Sequence, residues 1–119
     1  MTISSEDLHL KVTLRLEDSG RQRRFGPGVA ALLSEVQERK SLRAAAGNMG
    51  MAYSKAWRIV RSAEEAFGCK LLDSTIGGRH GGGAVLTVEA ENLLNAYQAL
   101  RTEVDAFAQE RFRERFGGL

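Results

Sequence analysis

The chain has 119 residues, of which 43% are hydrophobic and 27% are charged. This length fits a single domain and disfavours an enzyme with separate cofactor and substrate domains, and the composition excludes a wholly disordered chain. No stretch approaches the roughly 18 apolar residues that cross a bilayer, and residues 1–7 lack the basic start and apolar stretch of a signal peptide. The single cysteine, Cys69, cannot form an internal disulfide. We therefore expect a cytoplasmic protein with no membrane contact.

Charge is distributed unevenly, although the formal net charge is only +2. Residues 21–80 carry eleven basic and five acidic side chains, whereas residues 1–20 and residues 81–119 each carry two more acids than bases. A basic block of this kind suits a polyanion, because each bound phosphate releases counterions. A solvated protein face has the same charge pattern, so the motifs have to decide between the two.

Residues 8–16 alternate strictly between apolar and polar side chains, which predicts a half-buried β-strand. The five apolar residues of this segment share one face: Leu8, Leu10, Val12, Leu14 and Leu16. His9 lies on the opposite face, where we expect an ordinary surface histidine. Residues 17–20, with the sequence Glu-Asp-Ser-Gly, predict the turn that ends the strand.

The first helix is predicted from Pro27 to about Lys40, because proline is favoured in the first turn of a helix. Its apolar residues recur at helical spacing and are Val29, Leu32, Leu33 and Val36. This stripe indicates an amphipathic helix that packs one face on the core.

Two closely spaced helices are predicted next, over residues 42–48 and from about Ala52 to Phe67. Ser41 is placed to cap the first helix, Gly50 permits a tight turn, and Gly68 ends the second helix. The positions predicted to face the core are Leu42, Ala45, Ala46, Met49, Ala56, Val60, Ala63 and Phe67. This is a helix-turn-helix arrangement over about residues 41–67.

Strands are predicted over residues 70–74 and 84–86, joined by a connection with five glycines. This pattern indicates an exposed hairpin loop, the wing of a winged helix domain, over about residues 70–86 with Arg79 and His80 near its tip. A phosphate-cradling nucleotide site is disfavoured, because the glycine loop leads into a strand rather than into a helix N-terminus.

A long final helix is predicted from a cap at Thr87 to about Phe112. Apolar residues follow it in alternating steps of three and four: Ala90, Leu93, Tyr97, Leu100, Val104 and Phe107. Its length of about 39 Å, at ~1.5 Å per residue, exceeds what a domain of this size needs. We therefore predict a homodimer whose interface contains Leu93, Tyr97, Leu100, Val104 and Phe107.

These elements together predict a mainly α fold with a small β-sheet. Residues 1–119 would form a single winged helix-turn-helix domain that ends in a dimerisation helix over about residues 87–112. Because an α-helix fits the major groove of B-DNA, the second helix of the motif is expected to bind double-stranded DNA. The predicted major-groove residues are Tyr53, Ser54, Lys55, Arg58 and Arg61. Ser41 and Arg43 are predicted near phosphates, Arg79 and His80 on the wing contact DNA, and Trp57 is interpreted as a partly buried packing residue.

No constellation of catalytic or metal-binding residues is apparent in the sequence. Cys69 and the two histidines lack ligand spacing, and Glu64 and Glu65 are adjacent on a helix, where their side chains point about 100° apart. We expect no enzyme, no cofactor and no metal. Cys69 is interpreted as a small residue at a helix–strand junction, with a redox role left open.

Three segments resemble the N-terminal DNA-binding domain of ModE-type molybdenum-responsive transcriptional regulators. They are residues 41–46 (Ser-Leu-Arg-Ala-Ala-Ala), residues 51–57 (Met-Ala-Tyr-Ser-Lys-Ala-Trp) and residues 75–87, the glycine-rich wing that ends in Ala-Val-Leu-Thr. The chain is more distantly similar to the winged helix of LysR-type regulators. The resemblance extends from the first predicted strand to the last helix.

This resemblance implies a bacterial homodimer, joined largely through the long helices, that places two recognition helices on a palindromic operator. It further implies control of molybdenum or related metal-uptake genes. Full-length ModE-type regulators carry C-terminal molybdate-binding domains, and this sequence ends at Leu119 without one, so no oxyanion site is carried over and the effector stays unknown.

A winged-helix module that docks a partner protein, without sequence-specific DNA binding, is the alternative. The same scaffold serves both functions, so fold alone does not separate them. Retention of the protein on a nonspecific DNA column at moderate salt would distinguish DNA binding from protein docking.

Overall fold

The computed structural model describes residues 2–75 and 83–119. Its helices and strands, in chain order, are β1 (Leu16–Glu17), β2 (Arg23–Phe25), α1 (Pro27–Arg39), α2 (Leu42–Asn48), α3 (Tyr53–Phe67), β3 (Leu72–Thr75), β4 (Gly83–Leu86) and α4 (Val88–Phe116), after a 3-10 turn at Ser5–Asp7. Strands β1 and β2 form one antiparallel hairpin, and β3 and β4 form a second. This order confirms the predicted winged helix-turn-helix with its long last helix.

The predicted N-terminal strand is wrong in extent. Only β1, at its end, pairs with another strand of the described chain, whereas residues 8–15 are extended outside any sheet. From His9 to Arg15 the side chains still alternate between exposed and half-buried, because the segment lies along α4 instead of along a neighbouring strand. The Tyr97 hydroxyl donates a 2.7 Å hydrogen bond to the Leu14 carbonyl. Strict alternation of apolar and polar residues therefore indicates an extended segment with one face packed on the protein, and here that face packs on helix α4 rather than in a sheet.

The core forms where α1, α2 and α3 meet β2, the base of the second hairpin and the first half of α4. Its largest fully enclosed side chains are Phe25, Leu32, Leu33, Val36, Val60, Leu71 and Leu94. The predicted inward stripes supply most of this set, which confirms the helical periods. Phe67 is the exception at 38% exposed. It is the last residue of α3, and only its ring edge meets Phe25, with centroids 6.1 Å apart.

Three predicted helix ends are confirmed by their local geometry. The Ser41 hydroxyl accepts a 3.0 Å hydrogen bond from the Ala44 amide at the start of α2. The Thr87 hydroxyl accepts a 3.1 Å bond from the Ala90 amide at the start of α4. Gly68 follows α3 with a φ of 67°, the left-handed conformation that glycine adopts at low cost.

The second hairpin is joined to the end of α1 by a close backbone contact. The Ala84 amide donates a 3.0 Å hydrogen bond to the Lys40 carbonyl. A Cβ built on Gly83 would lie 2.5 Å from the same oxygen, so glycine is needed there by the approach itself. Thr75 pairs with Gly83 at the last described positions of the hairpin. Arg79 and His80 lie beyond them, outside the described residues.

Helix α4 projects from the rest of the chain. It has 29 residues, which corresponds to a length of about 43 Å, and it ends four residues later than predicted. The radius of gyration is 18.0 Å, whereas about 13.5 Å is typical of a compact domain of this length. No described helix is long and apolar enough to span a bilayer.

Candidate nucleic-acid interface

The two faces of α3 differ sharply in burial. Ala56, Val60 and Ala63 are at most 1% exposed, whereas the predicted DNA-contacting residues Ser54, Lys55, Arg58 and Arg61 are all exposed. The apolar face fixes α3 against the core, so the polar and basic face is directed to solvent. This places four of the five predicted major-groove side chains together on one surface.

Tyr53, the fifth of these residues, is half-buried and packs against the core. The guanidinium carbon of Arg43, on α2, lies 4.1 Å from the centroid of the Tyr53 ring. Trp57 is also half-buried, which confirms its interpretation as a packing residue. Its ring meets that of Tyr53 edge to face, with centroids 6.2 Å apart. The guanidinium carbon of Arg61 lies 5.5 Å from the Trp57 ring.

The start of α2 contributes two predicted phosphate contacts. Arg43 is exposed and Ser41 is half-buried. The Ser41 oxygen already accepts the capping hydrogen bond from Ala44, but its hydroxyl proton is still available to a phosphate oxygen.

Within the described residues, the basic side chains on α2 and α3 have no ion-pair partner. Among residues 2–75 and 83–119 the ion pairs are Arg24–Asp18, Arg39–Glu35 and Arg111–Glu114. Arg43, Lys55, Arg58 and Arg61 belong to none of them. Their positive charge is therefore available to an external anion.

Glu35 connects the first two helices. Its carboxylate accepts hydrogen bonds from Arg39 Nε at 2.6 Å and from the Asn48 side-chain amide, at the end of α2, at 3.0 Å. The Arg39 bond first, and the Asn48 bond to a smaller degree, hold the pKa of Glu35 below its ordinary value. Helix α2 is thus held to α1 by a polar contact as well as by the core.

Arginines of the first hairpin were missed by the sequence analysis. Arg15, Arg23 and Arg24 line a groove of about 360 Å³ whose opposite wall includes Ile59 and Ser62 of α3. The basic run at residues 21–24 was visible in the sequence, but its place beside α3 depends on how the hairpin folds back. Arg15 and Arg23, which belong to no ion pair of the described residues, add positive charge along one side of α3.

The predicted dimer residues on α4 differ in burial and fall into three groups. Leu100 and Phe107 are 43% and 61% exposed, and Leu93 and Val104 are half-buried. Tyr97 is only 2% exposed, so its inclusion in a contact face is corrected. The ring of Tyr97 packs on Phe25, with centroids 5.0 Å apart, and residues 8–15 cover it.

Other chemistry finds little support in the residues that the structure describes. No group of three or more histidine, cysteine, aspartate or glutamate side chains is suited to a metal ion within those ranges. Cys69 is a free, half-buried cysteine where α3 leads towards β3, as interpreted from the sequence.

Comparison with known proteins gives a family match. Residues 30–91 match the bacterial regulatory helix-turn-helix proteins of the LysR family. These residues run from α1 through the helix-turn-helix and the hairpin into α4.

Two curated relatives share the same part of the chain. The transcriptional regulator ModE of Haemophilus influenzae is 38% identical over 82 residues, which cover 68% of this chain and 32% of the relative. The molybdenum-pterin-binding protein MopB of Rhodobacter capsulatus is 36% identical over 81 residues, which cover 68% of this chain and 30% of the relative. The matched region is about a third of each relative's length.

A solved structure has the same fold. The crystal structure of ArgP from Mycobacterium tuberculosis is similar with a TM-score of 0.51 and 27% identity, over 73% of this chain and 31% of that chain. Its likeness extends over most of the described elements and agrees with the winged helix-turn-helix architecture.

Proposed function

Because the chain belongs to the LysR family of bacterial regulatory helix-turn-helix proteins, we propose that it is a dimeric transcriptional regulator that binds double-stranded DNA. Its targets would be genes for the uptake of molybdenum or related metals. The family is one of regulators, which agrees with the expectation that the chain is not an enzyme.

A single observation carries the DNA-binding proposal. The exposed face of α3 presents Lys55, Arg58 and Arg61 without ion-pair partners in the described chain, while its other face is enclosed in the core. A rigid helix with a free basic face fits the width of the major groove and its negative charge. Ser54 completes the proposed groove-facing set, and the half-buried Tyr53 lies beside it at the start of α3. Ser41 and Arg43 would bind phosphates, and Arg79 and His80 would reach DNA from the wing.

Dimerisation is supported by α4. Its projecting half carries Leu100 and Phe107 in solvent, with the half-buried Val104 between them, and exposed apolar side chains grouped on one helix face are typical of a protein contact. Two copies paired along this stripe would place two α3 helices on a two-fold symmetric operator. Leu93 would lie at the edge of the contact.

The metal-uptake assignment comes from the relatives. ModE of Haemophilus influenzae is named a transcriptional regulator, and a relative in Herbaspirillum seropedicae, 34% identical over 71 residues, is named a molybdenum transport protein. Their names support a target class for this chain and leave its effector open.

Selection of genomic fragments from the source organism by the purified chain tests the proposal. We expect enrichment of inverted repeats upstream of metal-uptake genes. A salt series on an enriched fragment then tests the surface. The plot of log K against log salt has a negative slope, and each lost phosphate contact reduces the magnitude of that slope by roughly 0.9.

Arg58→Ala is the informative variant for this series, and Arg79→Ala is its counterpart on the wing. Arg115→Ala removes the same charge from the far end of α4 and serves as the matched control, with unchanged affinity expected. Absence of retention on DNA at low salt would favour the protein-docking alternative. If Arg58→Ala and Arg79→Ala had the same affinity and salt slope as Arg115→Ala, Arg58 and Arg79 would not belong to the interface.

A further inference from the structure

Four side chains form a continuous row on the surface where α2 crosses α3. Arg43 stacks on Tyr53, Tyr53 meets Trp57 edge to face, and Arg61 lies over Trp57. We call Arg43, Tyr53, Trp57 and Arg61 the arginine–aromatic row. Tyr53 and Trp57 are four residues apart on one helix, which places them on the same side of it.

The two rings are the fixed part of this row. Both are half-buried and pack against the core, whereas both arginines are exposed. A guanidinium within about 6 Å of a ring centroid is attracted by the negative face of the ring. The rings therefore restrict two side chains that would otherwise sample many rotamers in solvent.

A guanidinium held over a ring is still able to bind an anion. When such a group turns a flat face to the ring, its N–H donors point outward in the guanidinium plane. These in-plane donors are the ones that form paired hydrogen bonds to phosphate. Neither arginine belongs to an ion pair of the described residues.

We propose that Tyr53 and Trp57 are positioning residues, which hold the guanidinium groups of Arg43 and Arg61 in the orientation that binds DNA. The proposal rests on the proposed function and refines it. Tyr53 then acts through Arg43 rather than by reading base edges. The rings reduce the loss of side-chain freedom on binding, because the arginines are ordered before DNA arrives.

A double-mutant cycle separates this role from packing. The probe is a fluorescein-labelled duplex of mixed sequence and about 30 base pairs, long enough for two half-sites separated by one helical turn. Its affinity for the full chain is measured by anisotropy at low salt. The variants are Tyr53→Leu and Tyr53→Phe, each with Arg43 present and with Arg43→Ala.

With Arg43 present, Tyr53→Leu should weaken binding about 2- to 5-fold, the strength of an exposed cation–π contact. Tyr53→Phe keeps the ring face and should bind the duplex with the affinity of the wild-type chain. In the Arg43→Ala background, Tyr53→Leu should have no further effect. Trp57→Leu and Trp57→Phe with Arg61→Ala form the second cycle, which decides the matter if Tyr53→Leu does not fold.

Equal weakening by Tyr53→Leu in both backgrounds would assign it a packing role and overturn the proposal. A loss in Tyr53→Phe as large as in Tyr53→Leu would also overturn it, because the hydroxyl would then make the contact. If the wild-type chain does not bind the duplex, the proposed function fails and this inference fails with it. Binding without coupling defeats the inference alone.

Discussion

The Thr87 hydroxyl donates a 2.8 Å hydrogen bond to the backbone carbonyl of Lys70. The same oxygen accepts from the Ala90 amide, and the Thr87 amide donates to the Leu71 carbonyl at 3.0 Å. One nearly buried residue therefore joins the start of α4 to the chain that leads into β3. The orientation of the β3–β4 hairpin relative to α4 depends on this junction.

Thr87→Val should lower the free energy of unfolding by about 1–3 kcal/mol, because it removes a helix cap and leaves the Lys70 carbonyl without its donor. Thr87→Ser keeps the hydroxyl and is the matched control, with a smaller loss expected. Urea unfolding at fixed protein concentration measures both. A loss in Thr87→Ser as large as that in Thr87→Val would contradict the leading role of the hydroxyl.

Gly83→Ala should destabilise the chain by about 1–3 kcal/mol, because the new Cβ would meet the Lys40 carbonyl at 2.5 Å and Thr75 Oγ1 at 2.7 Å. Gly28→Ala, in the first turn of α1, is the control: its Cβ meets nothing within 4 Å. That control should gain stability by about 0.4–1 kcal/mol. Thermal unfolding of the two variants should therefore shift in opposite directions. A shared sign would contradict the close approach.

Lys40→Gly should stabilise the chain by about 1 kcal/mol, because Lys40 has a φ of 56° where α1 ends and a side chain there has a steric cost. The same substitution inside the helix should act oppositely. Gln37→Gly, at an exposed position of α1, should lose about 1 kcal/mol. Chemical denaturation checks both, and a loss in Lys40→Gly would show that the Lys40 side chain makes a stabilising contact.

Leu100→Glu and Phe107→Glu should each raise the dimer dissociation constant by at least about 100-fold. Each substitution counts twice in a symmetric dimer, and burial of one such side chain contributes about 1.5–3 kcal/mol. Val88→Glu also removes an exposed apolar side chain of α4, 68% exposed at its first position, and should leave pairing unchanged. Sedimentation analysis distinguishes them. A wild-type chain that stays monomeric at high concentration would refute the interface.

Asp18 should make the free energy of unfolding depend on pH in the acidic range. Hydrogen bonds from the Gln22 amide and the Arg24 side chain hold its pKa below the ordinary value of 3.8. The stabilisation is therefore complete above 3.8 and is lost as the pH falls through the lowered pKa of the folded state. The stability gap between wild type and Asp18→Asn should narrow only below 3.8. Denaturant unfolding from neutral to acidic pH measures the gap, and a constant gap would contradict this origin.

Features governed by near neighbours were the ones that sequence reasoning predicted well. The caps at Ser41 and Thr87 and the helix end at Gly68 depend on residues at most four positions away. The inward stripes of α1, α2 and α3 follow from helical period alone. Local chemistry determines these features, so a single sequence was enough to predict them.

Features that depend on distant contacts were predicted less well. Tyr97 fits the apolar seam of α4, but its hydroxyl is bound to a carbonyl 83 positions away in the chain. A seam pattern does not say which of its members the chain itself covers. Likewise, the stacking of Arg43 on Tyr53 depends on how α2 crosses α3, which spacing along the sequence does not give.

The projecting stripe of α4 has a consequence for dosage. In a regulator that pairs along such a stripe, the amount of paired protein below the dissociation constant varies with the square of supply. Halving the number of chains in the cell would then leave about a quarter of the pairs. Changes in the synthesis or degradation of the polypeptide would therefore change the amount of paired regulator more than proportionally, even without a small-molecule signal.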